Sequence, residues 1–327
     1  MSTPPPDQPA PPWIRDHHAT DIDEYAAAQA GWSLQYEQLS PGRFAGEFCH
    51  VQLPGVRLVR ESANRQVRQT GQIGTDTVGF ALAATLPGEA FFHGQPLGTD
   101  TLMVGRGHDL DMTTPDGYEH LGLVVDCALL AELWAGLYQK PWSPWLDLQV
   151  VVAARPGMAE HVRTRHQQAM DTLAAFPALL GEPRAVMHLR DALLVEWIEA
   201  IPSRVDTSGL ESVEARRRLV ARACEQVLAR RHDPPTVLQV CTEIGASPRK
   251  LDYCFRDVLG VSPSKYLRAV RLNGVRRELK SRLGSETVHD VAARWGFWHM
   301  GAFSADYKRQ FGEAPSVTLK DRRSFRA

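Results

Sequence analysis

The sequence predicts an α+β chain of two domains: an N-terminal small β-barrel or sandwich with flanking helices, and a C-terminal all-α domain with two helix–turn–helix units joined by a linker helix. Three observations predict it. A helix, a glycine turn and a second helix are spelled out twice between Thr236 and Pro315. Short alternating apolar stretches recur from Gly42 to Asp126, punctuated by Pro54–Gly55, Pro87–Gly88 and Pro115–Asp116–Gly117. The charge is also divided. From Glu211 onward there are 23 Lys and Arg against 13 Asp and Glu, a balance of +10; the remainder has 14 against 25, or −11, which the total of −1 conceals.

Taken in order, residues 1–12 are rich in proline and polar side chains and predict a disordered arm. A short helical pattern surrounds Tyr25 to Trp32. The stretches FAGEFCHVQL, VRLVRES, TVGFALAA, EAFFHGQ, TLMVGRG, DLDMTT and HLGLVV then read as strands. Helical spacing returns with Leu129, Leu130, Leu133, Trp134 and Leu137, and again over Met158–Phe176 and Arg184–Ile201. The last of these places Val186, Leu189, Leu193, Leu194, Trp197 and Ile198 on one band, either packed on the strands or forming a dimer face. Domain boundaries follow: 13–201 for the first domain, a small-residue linker over 202–211, and 212–327 for the second.

The first helix–turn–helix unit spans about 236–260. Val237, Val240, Cys241 and Ile244 form an apolar face, Gly245 suits a turn with positive φ, Ser247 suits an N-cap and Pro248 the first helical position. The next helix has Leu251, Phe255 and Leu259 as its inward stripe. Ser262 and Pro263 start a longer connecting helix. The second unit, about 287–312, repeats the plan: Thr287 with Asp290 approximates a capping box, Gly296 makes the turn, and Phe303, Tyr307 and Phe311 face inward. A basic, aromatic second helix after such a turn has the parts of a major-groove reader, and the +10 half would attract phosphate while the −11 half would be repelled by it.

Other function classes are excluded by what is missing. No apolar run approaches membrane-span length and the N-terminus lacks a signal-peptide pattern, so a cytoplasmic location is expected. Cys49, Cys127, Cys224, Cys241 and Cys254 have no metal spacing and are expected as reduced thiols. GxSxG, HExxH and GxxxxGK[ST] are absent, His50, His93, His108 and His120 form no HxH pair, and Gly105–Arg106–Gly107 lacks the context of a dinucleotide site. Neither an enzyme nor a bound cofactor is expected.

LGVSPSKYLRAVRLNGVRREL followed by WGFWHMGAFSADYKRQFGEAPS resembles the DNA-binding domain of AraC/XylS-type transcription regulators. RLNGVRREL, GFWHMGAFSADY, YEQLSPGRFAGEF and LDMTTPDGYEHLGLVV are similar to the branch that contains the ethanolamine-utilisation activator. The resemblance implies a cupin-like effector domain before the DNA-binding domain. It also implies an activator role, double-stranded DNA and RNA polymerase as partners, a possible homodimer, and ethanolamine, with adenosylcobalamin, as inducers; the D-x-H-x-x-G run of a cobalamin ligand is absent. It places Arg249, Asp252 and Tyr253 of the first unit toward base edges, with Lys250 and Arg256 on phosphate. Arg249 matches guanine O6 and N7, whereas Asp252 could instead pair with Arg249 or Arg256. In the second unit Trp298, His299, Met300 and Ser304 face bases and Lys308 and Arg309 the backbone. Trp298 could equally pack beside Trp295 and Phe297, and His299 could equally cap its helix. For an effector, Phe80, Phe91, Phe92, Met103 and Met112 could line a pocket or simply fill the core. An ammonium group would find carboxylates at Glu89, Asp109, Asp111 or Asp116, which solvated turns explain as well.

Overall fold

The computed structural model describes residues 12–29, 31–107, 110–139, 142, 150–201, 212–230, 232–281 and 286–324. All of the predicted arm but Pro12, the linker 202–211, His108 and Asp109 lie outside them. The chain divides into two compact units, each treated by itself: one drawn from Met1–Ala135, Lys140–Ala174 and Glu196–Ser203, the other from Gly136–Gln139, Ala175–Val195 and Arg204–Ala327.

The first unit begins with two strands where the sequence suggested only a helix. β1 (Trp13–Ala19) and β2 (Ser33–Gln38) flank α1 (Ile22–Ala28), whose start is capped by the Asp21 carboxylate accepting from the Asp23 and Glu24 amides. β1 alternates weakly and pairs along its whole length with β3 (Gly46–Leu53), so partner strand and not periodicity decides its state. β3 and β4 (Val56–Ala63) form a hairpin across Pro54–Gly55, with Gly55 at φ 72°. β5 (Val67–Gln72), β6 (Thr77–Thr85), the short β7 (Phe91–Phe92) and β8 (Gln95–Pro96), β9 (Thr101–Arg106), β10 (Leu110–Thr114), β11 (Tyr118–Asp126) and β12 (Val151–Ala153) complete the strands.

They assemble into two antiparallel sheets, one of order β1-β3-β4-β11-β6-β9-β12 and one of order β2-β5-β10-β7-β8. Neither closes on itself. The predicted strand-rich half is therefore present as two open sheets. Phe92 and Met112 of the smaller sheet meet Ala83, Met103 and Tyr118 of the larger in one buried cluster, while Tyr25, Phe44, Phe48 and Val67 make a second. β3, β4 and β11 bury residues on both faces, as a sheet covered on both sides must. α2 (Cys127–Tyr138) follows β11, and α3 (Met158–Ala175) buries Val162, His166, Met170 and Leu173, with Arg163 donating to the Ala83 and Thr99 carbonyls.

The second unit contains most of α4 (Pro183–Ala200), then α5 (Val213–Ala229), α6 (Val237–Ile244), α7 (Pro248–Leu259), α8 (Pro263–Ser281), α9 (Val288–Arg294), α10 (Met300–Phe311) and α11 (Pro315–Ser324). α11 was not anticipated, although Pro315 at its first position is a start signal. Its Thr318 hydroxyl accepts from Tyr307 and donates to Glu313.

Candidate nucleic-acid interface and an inter-sheet cavity

Each helix–turn–helix unit is set by local signals. Thr236 caps α6, its hydroxyl accepting from the Gln239 amide at 3.1 Å while the Gln239 side chain accepts from the Thr236 amide at 2.9 Å, a reciprocal pair that the sequence reading missed. Gly245 ends α6 in the left-handed region at φ 66°. Ser247 then caps α7 with Pro248 behind it, as the residue order requires. In the second unit Thr287 and Asp290 form the same reciprocal cap with Asp in place of Glu, and two hydrogen bonds from Thr287 hold the Asp290 carboxyl below its usual range. Gly296 turns the chain at φ 76°.

α8 supplies a third of the buried core of the second helix–turn–helix unit. Leu272, Val275 and Leu279 pack with Val291, Ala292, Trp295, Phe297, Phe303 and Tyr307. The Trp295 indole N–H donates to Glu278 at 2.6 Å, and Arg294 pairs with the same carboxylate at 2.7 Å and with Glu286 at 2.9 Å. Gly274 makes this approach feasible, since a Cβ there would lie 2.1 Å from the Trp295 ring. Of the predicted inward stripes, Leu251, Phe255, Phe303 and Tyr307 are buried and Phe311 partly so; Leu259, at the last turn of α7, is 43% exposed.

Residues 183–195 of α4 belong to this unit and reach the start of α6 and the turn at Gly296. The Asp191 carboxylate, 1% exposed, accepts from the Thr236 hydroxyl at 2.6 Å and from Arg190. His188 lies against Gly296, where an added Cβ would come within 2.0 Å of its ring. Burial, then Arg271 and Arg184, hold His188 far below the usual imidazole range, so it is neutral and its Nδ1 accepts from Arg271 at 3.1 Å. Burial and the nearby Arg268 lower Arg271 itself to about 9. The same guanidinium donates to the Gly296 carbonyl, and Arg184 donates to that of Arg294. Gln139, also of this unit, donates to the Gly245 carbonyl.

The residues expected at DNA are placed in several different ways. Tyr253, Ser304, Lys308 and Arg309 are exposed. Asp252 and Arg256 are occupied with each other at 2.7 Å, and Arg309 pairs with Asp306, which also holds Arg268. Arg249 and Trp298 are buried, each 8% exposed, and Lys250 is half-buried. His299 caps α10, its Nδ1 accepting from the Ala302 amide at 3.0 Å, and Met300 packs onto the second core. The Arg249 side of α7 is thus covered while Tyr253 stands open.

The first unit contains a cavity of about 70 Å³ between its sheets. Phe80, Phe92, Met103 and Met112 do line it, but Phe91 is 36% exposed and points elsewhere. Of the carboxylates considered from sequence, Asp109 lies outside the described residues and the other three are not in the lining: Glu89 is exposed, Asp111 pairs with Arg68 at 3.2 Å, and Asp116 accepts from Ser40 and the Gln66 amide. Glu61, which sequence reasoning passed over, takes their place at 3% exposure. Burial would raise its carboxyl, but the His50 hydrogen bond at 3.0 Å, His120 and Gln29 outweigh that and hold it below the usual range. His50 and Glu61 lie diagonally across the β3–β4 hairpin, where Phe48 faces Glu61 and His50 faces Val59, so the turn at Pro54–Gly55 could have paired them. The described residues contain no cluster of His, Cys, Asp or Glu fit to hold a metal ion.

A family model described as a helix-turn-helix domain matches residues 240–321. The probable thc operon regulatory protein of Rhodococcus erythropolis is 37% identical over 103 residues, 31% of this chain and 31% of that protein. The XylDLEGF operon transcriptional activator 1 of Pseudomonas putida is 27% identical over 142 residues, 43% of this chain and 42% of that one. Among solved structures, a probable AraC family transcriptional regulator from Rhodopseudomonas palustris is 30% identical, with 32% of this chain and 97% of that chain covered and a TM-score of 0.30. The matched stretch spans less than half of these curated relatives, which are regulators of transcription and not enzymes. The C-terminal part of this chain carries a helix–turn–helix domain, and it is in this part that the chain is similar to these regulators.

Proposed function

We propose that the chain is a sequence-specific DNA-binding transcription regulator, an activator, whose first unit senses a small effector. One observation carries this reading: α7 and α10 each begin on a capped N-terminus just after a glycine turn, and both are braced on one basic unit. The two helices enter successive major-groove segments. Arg249, Asp252, Tyr253, Trp298, His299, Met300 and Ser304 are the base-facing set, and Lys250, Arg256, Lys308 and Arg309 the phosphate set. Binding in this mode requires Arg249 and Trp298 to be uncovered and the Asp252–Arg256 pair to open.

Two facing sheets around an apolar cavity support the effector-sensing and cupin-like reading of the first unit. The activator role is supported by the activators among the relatives. RNA polymerase as a partner, a homodimer, a cytoplasmic location and the domain limits 13–201 and 212–327 belong to the same proposal, and ethanolamine is the first effector to try. An effector shifts the DNA-competent population only by its differential affinity for the two states.

The test is binding of the full chain to the DNA upstream of its own gene across a salt series, with and without ethanolamine. Selective binding with a steep negative slope of log affinity against log salt is expected. Equal affinity for unrelated DNA at every salt concentration would sink the proposal.

A further inference from the structure

The inter-sheet cavity is lined mostly by apolar side chains, with its polar groups, Arg106 apart, gathered at one wall. Glu61, Gln69, Met112 and His120 form that wall, and they also border a second, smaller cavity of about 20 Å³ on the other side. Into the smaller space reach two hydroxyls with no hydrogen-bond partner: Thr114 Oγ1, on a residue 2% exposed, and Tyr118 Oη, on a residue 3% exposed. Buried polar atoms without partners are costly, and two facing one space mark a place where a guest could satisfy them.

The polar wall is acidic. Tyr36 receives N–H bonds from Gln29 and Gln69, both 2.7 Å, which turns its own O–H toward Glu61 at 3.3 Å. Among the described residues Glu61 Oε2 is otherwise approached only by Gln29 at 3.4 Å, so its accepting capacity on that side is weakly used. His120 stacks on Tyr118 at 5.8 Å between ring centres, and burial lowers its imidazole below the ordinary range. Among the described residues, the arginine of the lining, Arg106, is exposed and lies over Trp142. An anionic guest would meet a buried carboxylate whose Oε1 is already engaged by His50, whereas an ammonium would meet the weakly used Oε2 acceptor in an otherwise largely apolar box.

We propose that this cavity binds a small amphiphilic amine, its ammonium at Glu61 and His120 and its short apolar body among Phe80, Phe92, Met103 and Trp32. This rests on the effector-sensing reading above and sharpens it. The cavity is several times the roughly 10–15 Å³ that admits one water, and its walls favour an alkyl or aryl body over a wholly polar chain such as ethanolamine.

The full chain is titrated calorimetrically with n-butylamine, benzylamine, ethanolamine, n-butanol and butyrate, and its thermal midpoint is recorded with each. The two apolar amines should bind at least tenfold more tightly than butanol and ethanolamine and raise the midpoint, while butyrate should do neither. Glu61→Gln should erase the preference of butylamine over butanol. Because loss of the His50 partner could unfold that variant, Ala81→Leu, which fills the chamber without touching charge, should abolish amine binding while retaining the fold. Butyrate binding as tightly as butylamine, binding that survives Ala81→Leu, or no binding by any compound, the cavity then holding only water, each overturns the proposal. Operator binding measured on the same preparation separates the two readings. Selective DNA binding without amine binding removes this inference alone; loss of selective DNA binding removes the regulator.

Discussion

Gly274→Ala tests the packing between α8 and the second helix–turn–helix unit. In an open helix the change would stabilise by about 0.8–1 kcal/mol, because Ala has the higher helix propensity. Here the new Cβ would sit 2.1, 2.2 and 2.5 Å from three atoms of the Trp295 ring, over an ångström inside ordinary contact. Trp295 is 7% exposed and tied through its indole N–H to Glu278, so it has little room to withdraw. Overpacking costs about 1–3 kcal/mol, and loss of the bond to a carboxylate adds about 1.5–3 kcal/mol if the ring must leave it. Offset by propensity, the net is a destabilisation of about 2 kcal/mol, which at 1.4 kcal/mol per decade is roughly 30-fold in the local opening constant. Hydrogen exchange followed on peptides from 286–311 should show that acceleration, while Asn273→Ala, exposed on the same helix, should leave exchange nearly unchanged. Slower exchange in Gly274→Ala would refute the argument, since propensity would then have prevailed and the indole would not be held where described.

Four further outcomes are expected. Gly296→Ala combines a positive φ with a ring 2.0 Å away and should loosen the second turn more than Gly312→Ala, where φ is 78° but nothing lies within 4 Å; exchange at 288–303 distinguishes them. Thr287→Ala should cost about 1 kcal/mol by removing a cap, read as faster exchange in the first turn of α9. His166 is fully buried, and burial lowers its imidazole to about 3; the unfolded chain therefore binds more protons, and stability present above about pH 6.5 falls with acidification down to about pH 3. Denaturation at pH 7 and pH 5 should differ by about 2 kcal/mol from this residue, and His166→Leu should remove that part of the difference. Arg249→Ala should relax base choice, whereas Lys308→Ala should weaken all sequences together and reduce the salt slope by about one, measured by filter binding; identical behaviour would refute the division of roles.

The helical half was legible because its signals are local. Ser247–Pro248, Gly245, Gly296 and Thr287 with Asp290 fix starts, turns and caps within four residues, and the structure follows each. The N-terminal half was less so. β1, β2, β5 and β12 exist because a partner strand accepts them, and their own alternation is too weak or too short to announce it. Glu61 was invisible for a related reason: a carboxylate in mid-strand reads as solvent-facing unless the hairpin register and the second sheet are known. The burial of Arg249 and Trp298 is likewise set by tertiary packing, not by helix periodicity.

The position of residues 183–195 bears on how such a protein can be dissected. A fragment started at Ser212 keeps both reading helices but discards Arg184, His188 and Asp191. Thr236 then loses its carboxylate, the peptide at Gly296 loses the ring beside it, and the Arg271 guanidinium loses the imidazole that accepts from it. Such a piece is a looser object than the same residues in the intact chain. Affinities measured on it would assign the cost of stiffening the start of α6 and the Gly296 turn to the DNA, and a fragment extended back to Pro183 is the fairer miniature.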